Sequence, residues 1–86
     1  MESIESTVRS FILRQFLPDA NPDELTESTP LVTGGILDSM ATVRLIMFLE
    51  QHFQIEIPPH EVTAQHLANV ARIAALVRGK QKAPGA

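Results

Sequence analysis

The chain of 86 residues has no cysteine, no tryptophan and no tyrosine, and its few aromatic residues are all phenylalanine. Without cysteine there is no disulfide framework, no thiolate zinc site and no cysteine nucleophile. Long hydrophobic runs are also missing. No apolar stretch approaches the roughly 20 residues needed to span a bilayer, and the opening segment MESIESTVRS carries acidic residues rather than a signal-peptide core. A cytoplasmic, reducing setting with no membrane insertion is the expectation.

Basic residues are scarce where a nucleic-acid surface would need them. The net charge is -3, and Asp19, Asp23, Glu24, Glu27 and Asp38 fall between residues 18 and 38 with no lysine or arginine among them. No basic stripe exists, which argues against nucleic acid as a partner. The acidic loop instead favours partners with a basic face.

What remains is enough for one folded domain. Apolar residues make up 44% of the chain and charged residues 20%, close to the globular average. A chain this short buries only about 60% of the surface its unfolded form exposes, leaving no room for a deep active site. Any chemistry must take place at the surface or in a partner's pocket.

The periodicity is helical throughout. Ile4, Val8, Phe11, Ile12 and Phe16 recur at intervals of three and four, which predicts a helix over residues 3–17 that ends at Pro18. The eighteen residues PDANPDELTESTPLVTGG follow. A connection that long in a small domain is expected to be packed and functional, with Leu25, Leu31 and Val32 as its anchors. A second helix is predicted from Asp38 or Ser39, either a good N-cap, through Phe53, where QIEIPP breaks it. A brief helical turn within residues 60–67 and a last helix capped by Asn69 complete the pattern. That helix carries Val70, Ile73, Ala74 and Val77 on one face and is expected to stop near Gly79. The fold class is all-α, a small three-to-four-helix bundle with a long loop between helices 1 and 2. Residues 1–79 form its one domain, and residues 80–86 read as a flexible tail.

The second helix has more apolar surface than one core face requires. Leu45, Leu49 and Phe53, flanked by Thr42 and Ile46, make the inward face, while Met40, Val43 and Met47 form a second stripe on another side. That stripe is either packed from a second direction or exposed as a docking surface, for which methionine is well suited.

At the head of this helix stands Asp38-Ser39, behind Gly34 and Gly35. A serine nucleophile needs a base and an oxyanion hole. The chain has no Gly-x-Ser-x-Gly elbow; His52 lies more than three turns away, and His60 and His66 lie beyond the proline break. HEVTAQH resembles a zincin motif only superficially, because Ala64 stands four residues after His60. A helix start does, however, favour an anion, so a serine there can carry a phosphoryl group. The plainer reading is an ordinary Asp-Ser capping pair.

The ordered set GGILDSM, ATVRLIMFLEQHFQIEIPP and EVTAQHLANVARIAALV resembles the acyl and peptidyl carrier protein family over about residues 4–78. The resemblance implies that Ser39 is the attachment point of 4'-phosphopantetheine, with Asp38 the family's aspartate beside it. It implies a phosphopantetheinyl transferase that uses magnesium and coenzyme A, and an arm whose thiol holds cargo as a thioester. It also implies an adenylating acyl or aminoacyl ligase, a downstream acyl acceptor or modifying enzyme, and a monomeric carrier with no turnover chemistry of its own. Met40, Val43, Arg44 and Met47 match positions on the family's docking helix. Carriers of fatty-acid synthesis have a strongly acidic second helix, whereas here Ala41 and Arg44 occupy early positions taken as exposed, and Glu50 is the only acid. GGILDSM is closer to freestanding carriers of aminoacyl, peptidyl or D-alanyl type. The rival reading is an unmodified helical interaction module that uses the Met40, Val43 and Met47 face.

Overall fold

The computed structural model describes residues 3–19 and 21–82. Three α-helices, α1 (Ile4–Phe16), α2 (Ser39–Phe53) and α3 (Val70–Lys82), are joined by segments that hold 3-10 turns at Pro22–Glu24 and Pro59–Glu61. No strand occurs among the described residues, and none of the helices is long and apolar enough to cross a membrane. The expected all-α bundle is present, but its fourth element is only the turn at Pro59–Glu61 followed by hydrogen-bonded turns over residues 64–67.

Each helix begins on a side-chain cap, which satisfies amide groups that have no partner within the helix. The Ser3 hydroxyl accepts the Ser6 N–H at 3.0 Å, Asp38 Oδ1 accepts the Ala41 N–H at 2.8 Å, and Asn69 Oδ1 accepts the Arg72 N–H at 2.8 Å. α1 stops at Leu17, whose φ and ψ of -135° and 52° leave the helical region just before Pro18. The end of α2 has a different cause from the one expected. Gln54 takes a left-handed backbone (φ 55°, ψ 51°) while its N–H still bonds the Glu50 carbonyl, so the helix is over four residues before Pro58. The prolines instead open the 3-10 turn.

α3 also departs from expectation, because it continues through Gly79 to Lys82. Gly79 has no positive φ, and Lys80 Nζ meets Glu61 Oε1 at 2.5 Å, so the last turn is tied down rather than frayed. Residues 80–82 are therefore helical, and residues 83–86 of the expected tail lie outside the described residues.

The core lies between the three helices and the long loop. Val8 and Ile12 of α1, Leu45 and Leu49 of α2, and Val70, Ile73, Ala74 and Val77 of α3 are fully buried. Burying side chains of this size stabilises by about 1.5–3 kcal/mol each. α1 packs chiefly against α3. Its contact with α2 is aromatic: Phe11 stacks on Phe48 with centroids 4.1 Å apart, Phe16 meets Phe11 edge-on, and His52 stacks on Phe48 at 5.1 Å. Phe53, assigned to the core from its spacing, is only half-buried because it closes this aromatic row at the rim beside His52.

Two ion pairs fasten α3 at its flanks: Arg78 to Glu5 of α1 at 2.6 Å, and Lys80 to Glu61. The Arg78 guanidinium, hydrogen-bonded to Glu5, holds that carboxyl below the ordinary value near 4.5, and Lys80 does the same for Glu61. A carboxylate with a lowered folded-state value stabilises at pH above its unfolded value and loses that contribution as pH falls through the folded one. The melting temperature is therefore expected to be flat near neutrality and to drop as pH falls below about 4.5. The acid-side slope should be shallower in a Glu5→Gln, Glu61→Gln double variant, and a calorimetric pH series would check it. Both pairs are solvent-accessible, so salt should weaken the effect.

Candidate functional site at the head of the second helix

The site is built by the loop before it. Leu31 is fully buried, its N–H donates to the Ala68 carbonyl at 2.8 Å, and its carbonyl accepts the N–H groups of both Ile36 and Leu37 at 2.9 Å. These bonds close residues 31–37 into a compact turn against the start of α3. Nearby, the Ala71 N–H donates to the Glu27 carbonyl at 3.1 Å, so the loop also serves an amide in the first turn of α3. Thr26, Ser28 and Thr29 brace the stretch before it through their hydroxyls. The expected anchors Leu25 and Leu31 are buried, and Val32 packs against the core. Leu37, not singled out from the sequence, is a further buried anchor directly before Asp38. Its signal was the apolar Ile36-Leu37 pair between glycine and aspartate.

The two glycines have jobs other than clearance. A Cβ on Gly34 would drive into the Pro30 carbonyl oxygen, so this position is glycine because two backbones touch there. Gly35 has φ +81°, a region that disfavours side chains, with open space around it. Together they fold the chain tightly enough for Leu31 to receive Ile36 and Leu37.

The turn delivers Asp38 as the N-cap of α2 and Ser39 as its first residue. Asp38 Oδ1 is occupied by the Ala41 N–H, and the Thr42 N–H goes to the Asp38 carbonyl. The N–H groups of Ser39 and Met40 have no acceptor among the described residues, and Ser39 itself is exposed. No histidine serves it. His52 lies in the aromatic row, His60 sits 3.9 Å from Glu61, and His66 Nδ1 is 2.9 Å from the Thr63 hydroxyl.

The apolar stripe stands free. Met40 is 67% exposed, Val43 56% and Met47 53%, so α2 is not packed from a second direction. Arg44 is exposed on the same side. Ala41, taken as exposed from the sequence, is instead buried with Leu45 and Leu49, because the helix starts with that face toward the core. Glu50 is also spent internally: its Oε2 accepts the Ile57 N–H at 2.9 Å, which seats Ile57 in the core.

The description "phosphopantetheine attachment site" fits the family model that matches residues 12–77. The chain belongs to the phosphopantetheine-binding carrier family. Similar proteins include an acyl carrier protein of Akkermansia muciniphila, 35% identical over 92% of this chain and 94% of that one. The probable acyl carrier protein PigG of a Serratia species is 36% identical over 87% of this chain and 85% of its own length. A D-alanyl carrier protein of Streptococcus mutans is 43% identical over 67% of this chain and 70% of its own length. Among solved structures, a chain in the crystal structure of an FAD-dependent dehydrogenase superposes with a TM-score of 0.75 at 40% identity. That match covers 81% of this chain and 97% of that chain.

The carrier's group is 4'-phosphopantetheine, held covalently on a serine. An exposed hydroxyl beside two unpaired amides, at the positive end of a fifteen-residue helix, fits a phosphodiester. Only Ser28 and Ser39 fall within the matched residues, and the Ser28 hydroxyl is drawn into the Thr26 network.

The geometry ranks three substitutions. Gly34→Ala should cost about 1–3 kcal/mol, because backbone must shift to admit the methyl. Gly35→Ala should cost about 1 kcal/mol of backbone strain, and Asp38→Ala about 1 kcal/mol for the lost cap. Urea unfolding of the three variants beside the parent is the measurement. A Gly34→Ala variant as stable as the parent would remove the close-approach argument.

Proposed function

We propose that Ser39 is the residue to which a visiting transferase joins phosphopantetheine, and that this chain presents the bound cargo to partner enzymes along α2. One observation carries the proposal: the free hydroxyl and unpaired amides at the start of α2 sit directly above an exposed apolar stripe. When attached, the group supplies a thiol that holds an acid as a thioester.

The carrier's own residues do the positioning. The Leu31 knot fixes the end of the loop, Asp38 caps the helix without competing for the Ser39 and Met40 amides, and those amides receive the phosphate charge. Met40, Val43 and Met47, with Arg44 beside them, give a partner a landing surface that leads to the reacting end. An unmodified interaction module would use the same stripe but gives no account of the free helix start.

An adenylating ligase as loading enzyme, with an amino acid as cargo, is supported by the D-alanyl carrier among the similar proteins. For the downstream step, a flavin dehydrogenase is the modifying enzyme we favour. The 40%-identical chain found in the dehydrogenase crystal is almost wholly matched by this one, and so is of carrier size. A chain that short cannot by itself enclose a dinucleotide in a doubly wound fold. A thioester acidifies the neighbouring C–H, which suits removal of hydrogen by a flavin.

Incubation with coenzyme A, magnesium and a broad-specificity transferase should add the mass of one phosphopantetheine to the parent and to Ser28→Ala, and none to Ser39→Ala. Modification of Ser39→Ala, or an unmodified parent beside a modified control carrier, would defeat the assignment. A loaded amino acid should then lose two mass units, as two hydrogens, on treatment with the dehydrogenase.

A further inference from the structure

Of the acids expected to attract basic partners, Asp38 borders the docking face, whereas Asp23 and Glu27 lie away from it. Asp38 is bound to the Ala41 amide, and Glu50, the only acid within α2, is bound to the Ile57 amide. Asp23 and Glu27 line a depression with Ser3 and Ser6, at the N-terminal end of α1. The start of α2 lies at the other end, where Gln15 and Phe16 border it. The docking face also carries a cation: Arg44 is exposed and makes no ion pair among the described residues. Asp19, exposed just beyond α1, makes none either.

Arg44 also has a defined place. It follows Met40 by one helical turn and precedes Met47 by three residues, so it shares their side of α2. Together with Met40, Phe16, Ile36 and Asp38 it borders an open depression of about 300 Å³ beside Ser39. A guanidinium set against apolar surface calls for a carboxylate, which it can bind by two parallel hydrogen bonds.

We propose that Arg44 selects the enzymes that dock on α2, favouring a surface that offers an apolar cleft edged by a carboxylate and rejecting one lined with lysine or arginine. The proposal rests on the docking role given to α2 above and adds the sign of the partner's charge. Like-charge juxtaposition at an interface disfavours the wrong partner, and a charge at its edge acts mainly on the association rate.

Two phosphopantetheinyl transferases serve as probes, one with an acidic carrier-docking surface and one with a basic surface, each supplied with coenzyme A. The readout is the ratio of kcat/KM for the parent to that for Arg44→Glu, taken separately with each enzyme. With the acidic enzyme the ratio should exceed about 10 and shrink as salt rises from about 50 to about 300 mM, and Arg44→Lys should keep most of the parent rate. With the basic enzyme the ratio should fall below 1. A ratio near 1 with both enzymes, or the opposite order, overturns the role of Arg44 while leaving Ser39 as the modified residue. If neither enzyme modifies the parent or any Arg44 variant, while both modify a control carrier, the attachment reading itself fails, and this proposal with it.

Discussion

The backbone of Leu31 makes three hydrogen bonds, one from its N–H to Ala68 and two to its carbonyl from Ile36 and Leu37, around a side chain with no solvent exposure. Without that knot, the long connection between α1 and α2 would have nothing to fix its end. With it, the loop is pinned to α3, Leu37 is drawn into the core, and α2 begins at a set position. Buried backbone groups must find partners, and here the partners are supplied by a turn that only Gly34 and Gly35 allow. The start of α2 is thus held through Leu31, seven residues before Asp38.

α2 divides its surface between two tasks. Ala41, Leu45 and Leu49 belong to the core, while Met40, Val43 and Met47 face solvent. A helix that buried both sides would be more stable but would have nothing to offer a partner. The same division governs its polar groups. Asp38 and Glu50 each give one carboxylate oxygen to a main-chain amide within the domain, and Arg44 faces outward. The net charge of the chain is therefore a poor guide to the charge that a docking enzyme meets.

Helix positions were legible because periodicity and caps are local: Asn69, Asp38 and the spacing of Val70, Ile73, Ala74 and Val77 lie within a few residues of what they control. The errors came where the cause lies elsewhere in the chain. α3 runs past Gly79 because Glu61, from another segment, reaches Lys80. Ala41 is buried because of how α2 is seated, and Phe53 is half-buried because an aromatic row ends there. Gln54 ends α2 through a left-handed backbone that a glutamine does not advertise.

For the site, the sequence by itself determined the ingredients: a capped helix start bearing Ser39, glycines before it, no base to activate the hydroxyl, and a surplus apolar stripe below. Those are matters of residue type and spacing, which short-range geometry converts into a helix with two faces. Only the tertiary structure decided which face was free, what the glycines were for, and which charges remained unspent. Exposure and pairing depend on what packs against a residue, and Ala68 reaches Leu31 only once the chain has closed on itself.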